Sequence, residues 1–351
     1  MDIKHNRVNR NAGYTLLELM IAMVVGLFLL GGVMFTYLSM KVTTSDTVEM
    51  GELQETGRIA LDILGKDLTM TGFFGRLNIN SLTTADASGV TAPTGDCIDE
   101  VFSIGSFPGT GAVPNFPVLY GVVATDTKNP LSCVDLSAEI KPKSNSDVIQ
   151  IKRAAGEEMS GQNTQTGQYY VQTTLSDARF IEGDGTAIPF ELGKGVWPYE
   201  HLVYYVGEDT YTSGDKEIAV PVLMRKRLVG DQMQTESVLE GVENIRFLYG
   251  LDNDGNGDVD EYLEAGDMTP AHWQQSGTTS IKTVQVSVLV RATKEDPNMQ
   301  LENKTYILGG DNADTQRVLT GDAVPGNYRR MVFVSTFKIN NAGGNQWLIA
   351  I

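Results

Sequence analysis

An acidic segment in the C-terminal half of the chain has the residue types and spacing of a calcium-binding loop. Residues 252–260 place side-chain oxygens at positions one, three, five and nine of an EF-hand-type loop and glycine at position six. Leu263 occupies position twelve, where a bidentate carboxylate is expected, and Glu261 and Glu264 flank it. The alternative is an Asp/Gly-rich hairpin turn. The predicted Ca²⁺ ligands are Asp252, Asp254, Asn256, Asp258 and Asp260, completed by Glu261 or Glu264.

The sequence carries little that points to catalysis. It lacks the H-E-x-x-H, G-x-S-x-G, P-loop and dinucleotide-binding fingerprints, and its three histidines are scattered. Ser335 and Lys338 fit S-x-x-K, but they lie in an alternating strand pattern without the supporting motifs of that enzyme class. We therefore expect no enzymatic activity and no required cofactor.

Glu18 is an ionisable residue at the edge of a long apolar run. The run, Leu19–Met40, has 22 residues without a charge, enough for a helix to cross a bilayer core of about 30 Å. A carboxylate at such an edge is costly and therefore indicates a function. A secretory signal would place a small-residue cleavage site after the run, and none follows. A plain membrane anchor would leave Glu18 unexplained.

The residues before the run carry a specific motif. Gly13-Tyr14-Thr15-Leu16-Leu17-Glu18 follows a basic leader and resembles the type III signal of type IV pilins. The resemblance implies that a prepilin peptidase cuts after Gly13 and methylates the new N-terminus, Tyr14, where most members have phenylalanine. It further implies that Glu18 docks the subunit by pairing with the α-amino group of a neighbouring subunit's first residue.

Charge predicts orientation and excludes one class of partner. Lys4, Arg7 and Arg10 precede the span and should stay cytoplasmic, which places the residues after Lys41 outside the inner membrane. Removal of the leader, whose net charge is +2, would change the net charge from −17 to −19. So acidic a chain lacks the basic footprint of nucleic-acid binding.

Cys97 and Cys133 are the two cysteines of the chain, and both fall in the exported part. An even number of cysteines in an oxidising compartment favours a disulfide, which here would close a loop of 37 residues. Two buried thiols are the alternative.

A long helix is predicted to follow the signal. Leu53, Gly57, Ala60, Leu64 and Leu68 recur at the spacing of one helical face, and the intervening positions are polar. A helix from Tyr14 to about Leu68 would have 55 residues and measure roughly 80 Å. Its first half is apolar all round and its second half amphipathic, as expected if the second half packs on a globular head.

The chain beyond Gly75 reads as strands and loops. We expect an α+β fold in which the helix packs on an antiparallel, β-rich head. Predicted loops are 80–96 and 155–168. The predicted organisation is leader 1–13, membrane half 14–40, amphipathic half 41–75 and head 76–351. The predicted strands are Val148–Lys152, Leu202–Val206, Val220–Val229, Ile245–Tyr249, Val284–Val290 and Met331–Ile339.

Three blocks extend the resemblance to the PilW-type minor pilins. Arg58–Gly75, with Asp67 nine residues after the arginine and a Gly-aromatic-x-Gly exit, is similar to the end of the long helix in that family. Val242–Gly250 and Arg329–Thr336 resemble two family strands. The cysteine that commonly follows the exit is here Arg76, so the family's usual disulfide is not carried over.

This resemblance implies a low-copy subunit that primes pilus assembly near the tip. Its implied partners are prepilin peptidase, other minor pilins, the major pilin and a PilY-type tip adhesin. Two alternatives remain open: a J-type pseudopilin of type II secretion, and a calcium-dependent adhesin head displayed on the fibre.

Overall fold

The computed structural model describes residues 13–77, 82, 84–109, 116–138, 140–213, 216–296, 304–310 and 312–341. The charged leader residues Lys4, Arg7 and Arg10 lie outside these ranges. The backbone forms two compact units, Met1–Glu52 and Leu53–Ile351.

The secondary structure confirms the α+β class, with one long N-terminal helix and antiparallel sheets. The α-helices are α1 (Leu16–Thr69) and α2 (Pro270–Trp273). The strands are β1 (Leu119–Val123), β2 (Asp147–Ala154), β3 (Tyr169–Thr173), β4 (Ala178–Glu182), β5 (Gly195–Ser213), β6 (Lys216–Val229), β7 (Gln232–Glu240), β8 (Val242–Asp252), β9 (Glu261–Glu264), β10 (Ser280–Glu295), β11 (Tyr306–Gly309), β12 (Gln316–Leu319) and β13 (Tyr328–Lys338).

Helix α1 is buried along the predicted stripe in the second unit. Leu53, Gly57, Ala60, Leu64 and Leu68 are all buried. The helix begins at Leu16, two residues later than predicted, and ends at Thr69, one residue later. The stripe faces a hydrophobic core built with residues of β8 and β10.

Two glycines of α1 accept aromatic rings from β13. A Cβ placed on Gly57 would lie 2.2 Å from the ring of Phe333, and one on Gly65 would lie 2.2 Å from the ring of Phe337. Eight helical residues rise about 12 Å and four strand residues rise about 13 Å, so both contacts are made when strand and helix run alongside each other. Close packing explains glycine at these two helical positions, where it would otherwise be unfavourable.

The strand that supplies these rings belongs to a four-stranded antiparallel sheet in the order β13-β10-β8-β9. The central strand β10 pairs with β13 along one edge and with β8 along the other. On the opposite face the hairpin β11–β12 covers a small second core of Leu289, Leu308, Leu319 and Val324.

The other large sheet has seven strands, in the order β1-β2-β5-β3-β4 with β6 and β7 added beside β5. The 19-residue strand β5 organises it, because its first residues pair with β3, its middle with β2 and its remainder with β6. All six strands predicted from the sequence lie on observed ones, although Ile339 falls just beyond β13. In the described parts of 80–96 and 155–168 the only β-pairings are isolated bridges at Thr94 and Asn163, so both read as loops.

Candidate functional site

The start of α1 is organised by a capping box. The backbone N–H and the hydroxyl of Thr15 both donate to the Glu18 carboxylate at 3.0 Å, and the Glu18 N–H donates to the Thr15 hydroxyl at 3.2 Å. The pair thus satisfies two backbone donors that a helix N-terminus leaves open. Glu18 and Tyr14 are exposed, and so is Gly13, on the other side of the predicted cleavage point.

The apolar half of α1 has no cover from the rest of the described chain. Its most hydrophobic 18-residue window has a mean hydropathy of 2.4, and none of that window is buried. Near the end of the run the Thr36 hydroxyl donates to the Gly32 carbonyl at 2.9 Å, so this group needs no partner from outside the helix. By length and composition this helix can cross a membrane.

The C-terminal end of α1 carries a second carboxylate, Asp67, which is buried where Glu18 is exposed. Asp67 is buried; Arg153 of β2 donates to it at 2.8 Å and the Tyr204 hydroxyl of β5 at 2.5 Å. Arg153 also pairs with Glu200 at 2.6 Å. Burial, and next the charge of Asp67, raise the pKa of Tyr204, so this hydroxyl stays protonated as a donor. The network ties the helix end to the seven-stranded sheet.

Cys97 and Cys133 form the predicted disulfide, with their Cα atoms 4.6 Å apart. Two hydrogen bonds join the two chain segments beside the disulfide. The Ser132 N–H donates to the Ile98 carbonyl at 3.1 Å, and the Ile98 N–H donates to the Ser132 hydroxyl at 2.7 Å. The bridge closes a covalent loop in which β1 is the one strand among the described residues.

A buried polar cluster lies close to the disulfide. The Ser106 hydroxyl is 2.7 Å from Asp96 Oδ1 and 2.7 Å from His201 Nδ1. Because the ionised carboxylate can only accept, Ser106 donates to Asp96 and His201 donates its Nδ1 proton to Ser106. This assigns the proton of His201 to Nδ1 and leaves Nε2, which has no partner in the described structure, as a bare acceptor. Burial first, and the charge of Lys152 second, hold the pKa of His201 well below its usual value.

The Asp-rich loop connects β8 to β9 as a hairpin, so the hairpin interpretation describes its backbone. Carboxylate oxygens of Asp252, Asp254 and Asp260 lie within 4.8 Å of one another. Two glycine N–H groups donate to Asp252, from Gly255 at 2.7 Å and Gly257 at 2.9 Å. Three of the five predicted ligands therefore converge.

Three further predicted ligands, Asn256, Glu261 and Glu264, have other partners in the loop or its surroundings. The Asn256 side-chain oxygen accepts the Asp258 N–H at 2.7 Å. Glu264 pairs with Arg246 at 2.7 Å, and Glu261 accepts from the Asn253 side chain at 2.8 Å. The Lys282 ammonium lies 3.2 Å from Asp252. The converging carboxylates fit a hard cation, whereas the twelfth position and the ammonium weaken the fit.

Several of these residues were missed by the sequence reasoning. Thr15 could have been found, since T-x-x-E before an apolar run is a sequence signature of a helix start. Arg153, Tyr204 and Ser106 had no local signal, because their partners lie 86, 137 and 95 residues away in the chain.

Comparisons with known proteins agree with the resemblance. Residues 203–341 match the family described as type IV pilus-assembly protein W, and residues 8–34 match the prokaryotic N-terminal methylation motif. No curated protein and no solved structure gives a match. The first match contains the blocks Val242–Gly250 and Arg329–Thr336, whereas Arg58–Gly75 lies outside both matches. Together with the long N-terminal helix and the antiparallel head, these matches support the interpretation that the chain resembles a PilW-type pilin with a prepilin signal.

Proposed function

We propose that this chain is a minor pilin that helps to initiate type IV pilus assembly and sits at or near the pilus tip. The observation that carries the proposal is the first half of α1, an apolar helix with one carboxylate at its start that the described part of the chain leaves uncovered. Such a helix is stable in lipid before assembly and among neighbouring helices afterwards. The matches to a pilus-assembly family and to the methylation motif support the same conclusion.

The docking group of this proposal is Glu18. Thr15 holds its carboxylate at the helix start through two hydrogen bonds of 3.0 Å, so the group is pre-oriented. Cleavage after Gly13 would create an α-amino group on Tyr14 of this chain, and the same processing would create one on the first residue of each neighbouring pilin. An incoming subunit's Glu18 would then pair with the amino group of a neighbour in an apolar environment, which fixes the axial position of one helix against the next.

Processing and location follow from the same features. Prepilin peptidase would cut and methylate the chain at the inner membrane, with the basic leader cytoplasmic and the head periplasmic. The Cys97–Cys133 disulfide supports an oxidising compartment for the head. The subunit would then enter the pilus with other minor pilins and the major pilin, with a PilY-type adhesin as a further tip partner, and would thereby serve adhesion and twitching motility.

The test is a deletion strain with plasmid complementation, in which surface pili and type II secretion are measured side by side. Loss of pili with secretion intact is the expected result. Loss of secretion with pili intact would assign the chain to a type II pseudopilus as a J-type subunit. Normal pili and secretion with reduced surface binding would instead favour the displayed-adhesin alternative.

Calcium binding at the hairpin loop is a second proposal, supported by the convergence of Asp252, Asp254 and Asp260. With position twelve lacking a carboxylate, we expect a dissociation constant of about 10⁻⁴–10⁻³ M, the range of extracellular calcium modules. Isothermal titration of CaCl₂ into the full chain in detergent should give heat that Asp254→Asn removes. The exposed Asp126 lies outside the loop, and Asp126→Asn is the matched control. Absence of heat at millimolar calcium would end this proposal.

A further inference from the structure

Three buried polar side chains share one face of the seven-stranded sheet. Gln150 and Lys152 lie two residues apart on β2, so both point to the same side. His201 of β5 is the direct cross-strand partner of Lys152, which places the three side chains next to one another. Each is at most 1 % exposed. Polar groups this deeply buried need hydrogen-bond partners inside the protein.

Two of these side chains carry an acceptor that still needs a donor. The Gln150 Nε2 donates to the Cys97 carbonyl at 2.6 Å, which fixes the orientation of the amide and makes Oε1 the acceptor on its other side. His201 carries its proton on Nδ1, where Ser106 lies 2.7 Å away, so its Nε2 is an acceptor as well. Neither Oε1 nor Nε2 has a hydrogen-bond partner among the described residues.

The Lys152 ammonium is the donor beside these two acceptors. It donates to the Pro117 carbonyl at 3.3 Å and lies 4.5 Å from the centre of the Phe116 ring. An ammonium has three N–H groups, so it can donate further bonds. It makes no direct hydrogen bond to His201 Nε2, although the two side chains face each other across the strands. A group that connects all three would have to accept from Lys152 and donate to both acceptors.

We propose that one internal water molecule binds between Gln150, Lys152 and His201. It accepts a hydrogen bond from the Lys152 ammonium and donates one each to His201 Nε2 and Gln150 Oε1. Internal waters typically make about three hydrogen bonds to buried polar groups that lack other partners. An anion would meet two bare acceptors and a metal ion would meet an ammonium, so neither matches this set of groups.

The water would connect the segment that carries the disulfide to the sheet beneath it. Gln150 reaches the Cys97 carbonyl with its other amide atom, and His201 reaches Ser106 with its other ring nitrogen. A water that bridges the two side chains from the sheet side would therefore hold both contacts in place. This proposal does not depend on the one for pilus assembly.

A high-resolution crystal structure of the full chain, grown in a lipidic phase, tests the site directly. We expect a density peak about 2.7–3.2 Å from each of Lys152 Nζ, His201 Nε2 and Gln150 Oε1. A direct bond from Lys152 to His201 Nε2, or no peak between the three side chains, would overturn the proposal.

Urea unfolding of the full chain in detergent tests the same bridge by a double-mutant cycle of Gln150→Met and His201→Leu. Two bare acceptors repel each other, so a stabilising coupling between them requires a shared donor. Since either substitution already breaks the bridge, the product of the single effects on the unfolding equilibrium constant should exceed the effect of the double variant at least about threefold. Near-UV circular dichroism checks that each variant is folded. Strict additivity would overturn the proposal.

A second cycle in a Lys152→Met background distinguishes a water from the ammonium as the shared donor. The coupling between Gln150 and His201 should persist there, because the water still donates to both. Its disappearance would show that Lys152 itself is the shared donor and would overturn the proposal. The matched control pairs Gln150→Met with Gln172→Met, which removes a buried amide on β3, and these two effects should be additive.

Discussion

The two halves of α1 use the same residue types for opposite purposes. Near the start, Glu18 is exposed and bonds to Thr15 one turn away, whereas Asp67 near the end is buried against Arg153 and Tyr204. The glycines differ in the same way. Those of the apolar half have open space where a Cβ would be, and Gly57 in the second half is filled by a phenylalanine ring.

This difference shows which half of α1 finds contacts for its polar and small residues within the described part of the chain. In the second half Gly57, Gly65 and Asp67 have partners in the head, so we expect their role to be stability. In the first half, Glu18 and the glycines have no such partner among the described residues, so we expect lipid or other subunits to supply the contacts. Substitutions in the first half should therefore affect assembly, and those in the second half should affect folding.

The largest effect is expected from Glu18→Ala. Processing and membrane insertion should persist, while the subunit disappears from sheared pili, because removal of one partner from a desolvated ion pair typically costs about 3–5 kcal/mol. Unfolding of the head should be unchanged. Immunoblots of the membrane and sheared fractions measure this.

The exposed Glu52 of the same helix provides the control, since Glu52→Ala removes a carboxylate that lies beyond the apolar run. Normal incorporation of the Glu18→Ala subunit into pili would contradict the docking role of Glu18. It would also contradict the assignment of assembly contacts to the first half of α1.

Asp67→Ala should have the converse effect. Its removal leaves the Tyr204 hydroxyl without its acceptor and the Arg153 guanidinium with Glu200 as its remaining carboxylate, and we expect the free energy of unfolding to fall by about 3–5 kcal/mol. Urea unfolding of the full chain in detergent, followed by near-UV circular dichroism, measures the change. Asp62 is exposed on the same helix, so Asp62→Ala is the matched control. Equal urea midpoints for the two variants would show that the buried network adds nothing.

Gly57→Ala tests the packing of the second half at a smaller scale. The added methyl would overlap the base of the Phe333 ring, so overpacking of about 1–3 kcal/mol should exceed the gain of about 1 kcal/mol in helix propensity. Gly31→Ala meets no neighbour and should leave the head unaffected. Thermal unfolding measures both.

A double mutant then separates packing from helix propensity. Phe333→Ala removes the ring, so the pair Gly57→Ala with Phe333→Ala should be more stable than the sum of the single effects predicts. Strict additivity would show that the ring and the glycine are not coupled.

Elements with a local sequence pattern could be predicted from the sequence, and elements without one could not. The signal motif, the apolar run and the helical stripe are local patterns, and the strands with clear alternation, such as Val284–Val290, were found for the same reason. β7 was missed because its sequence, QMQTESVLE, is polar and lacks strict alternation. β11 and β12 have four residues each, too few to show a period.

The candidate sites also divide into those with a local sequence signal and those whose partners are distant in the chain. Glu18, the cysteines and the acidic loop were visible because their chemistry is local or their number is small. The partners of Asp67 could not be predicted, since Tyr204 is 137 residues away and ordinary in its own surroundings. The Phe333–Gly57 contact was hidden as well, because only the fold brings a particular strand residue beside a particular helix residue.

The smallest effect concerns the imidazole ring of His201 in the head. His201 is buried, with Ser106 and Asp96 on its Nδ1 side, Lys152 near enough to lower its pKa and no partner for Nε2 in the described structure. Since the folded state keeps this ring neutral, the unfolded chain binds one more proton below its ordinary pKa of about 6.5. Stability should therefore fall as the pH drops from about 6.5 to 5, by up to about 1.4 kcal/mol per pH unit from this group. His201→Gln should flatten that slope in urea unfolding at pH 7, 6 and 5, whereas His272→Gln on the short helix α2 should leave it as it is. An unchanged slope in His201→Gln would mean that protonation of His201 does not contribute to the acid sensitivity of the head, which would then arise from its carboxylates.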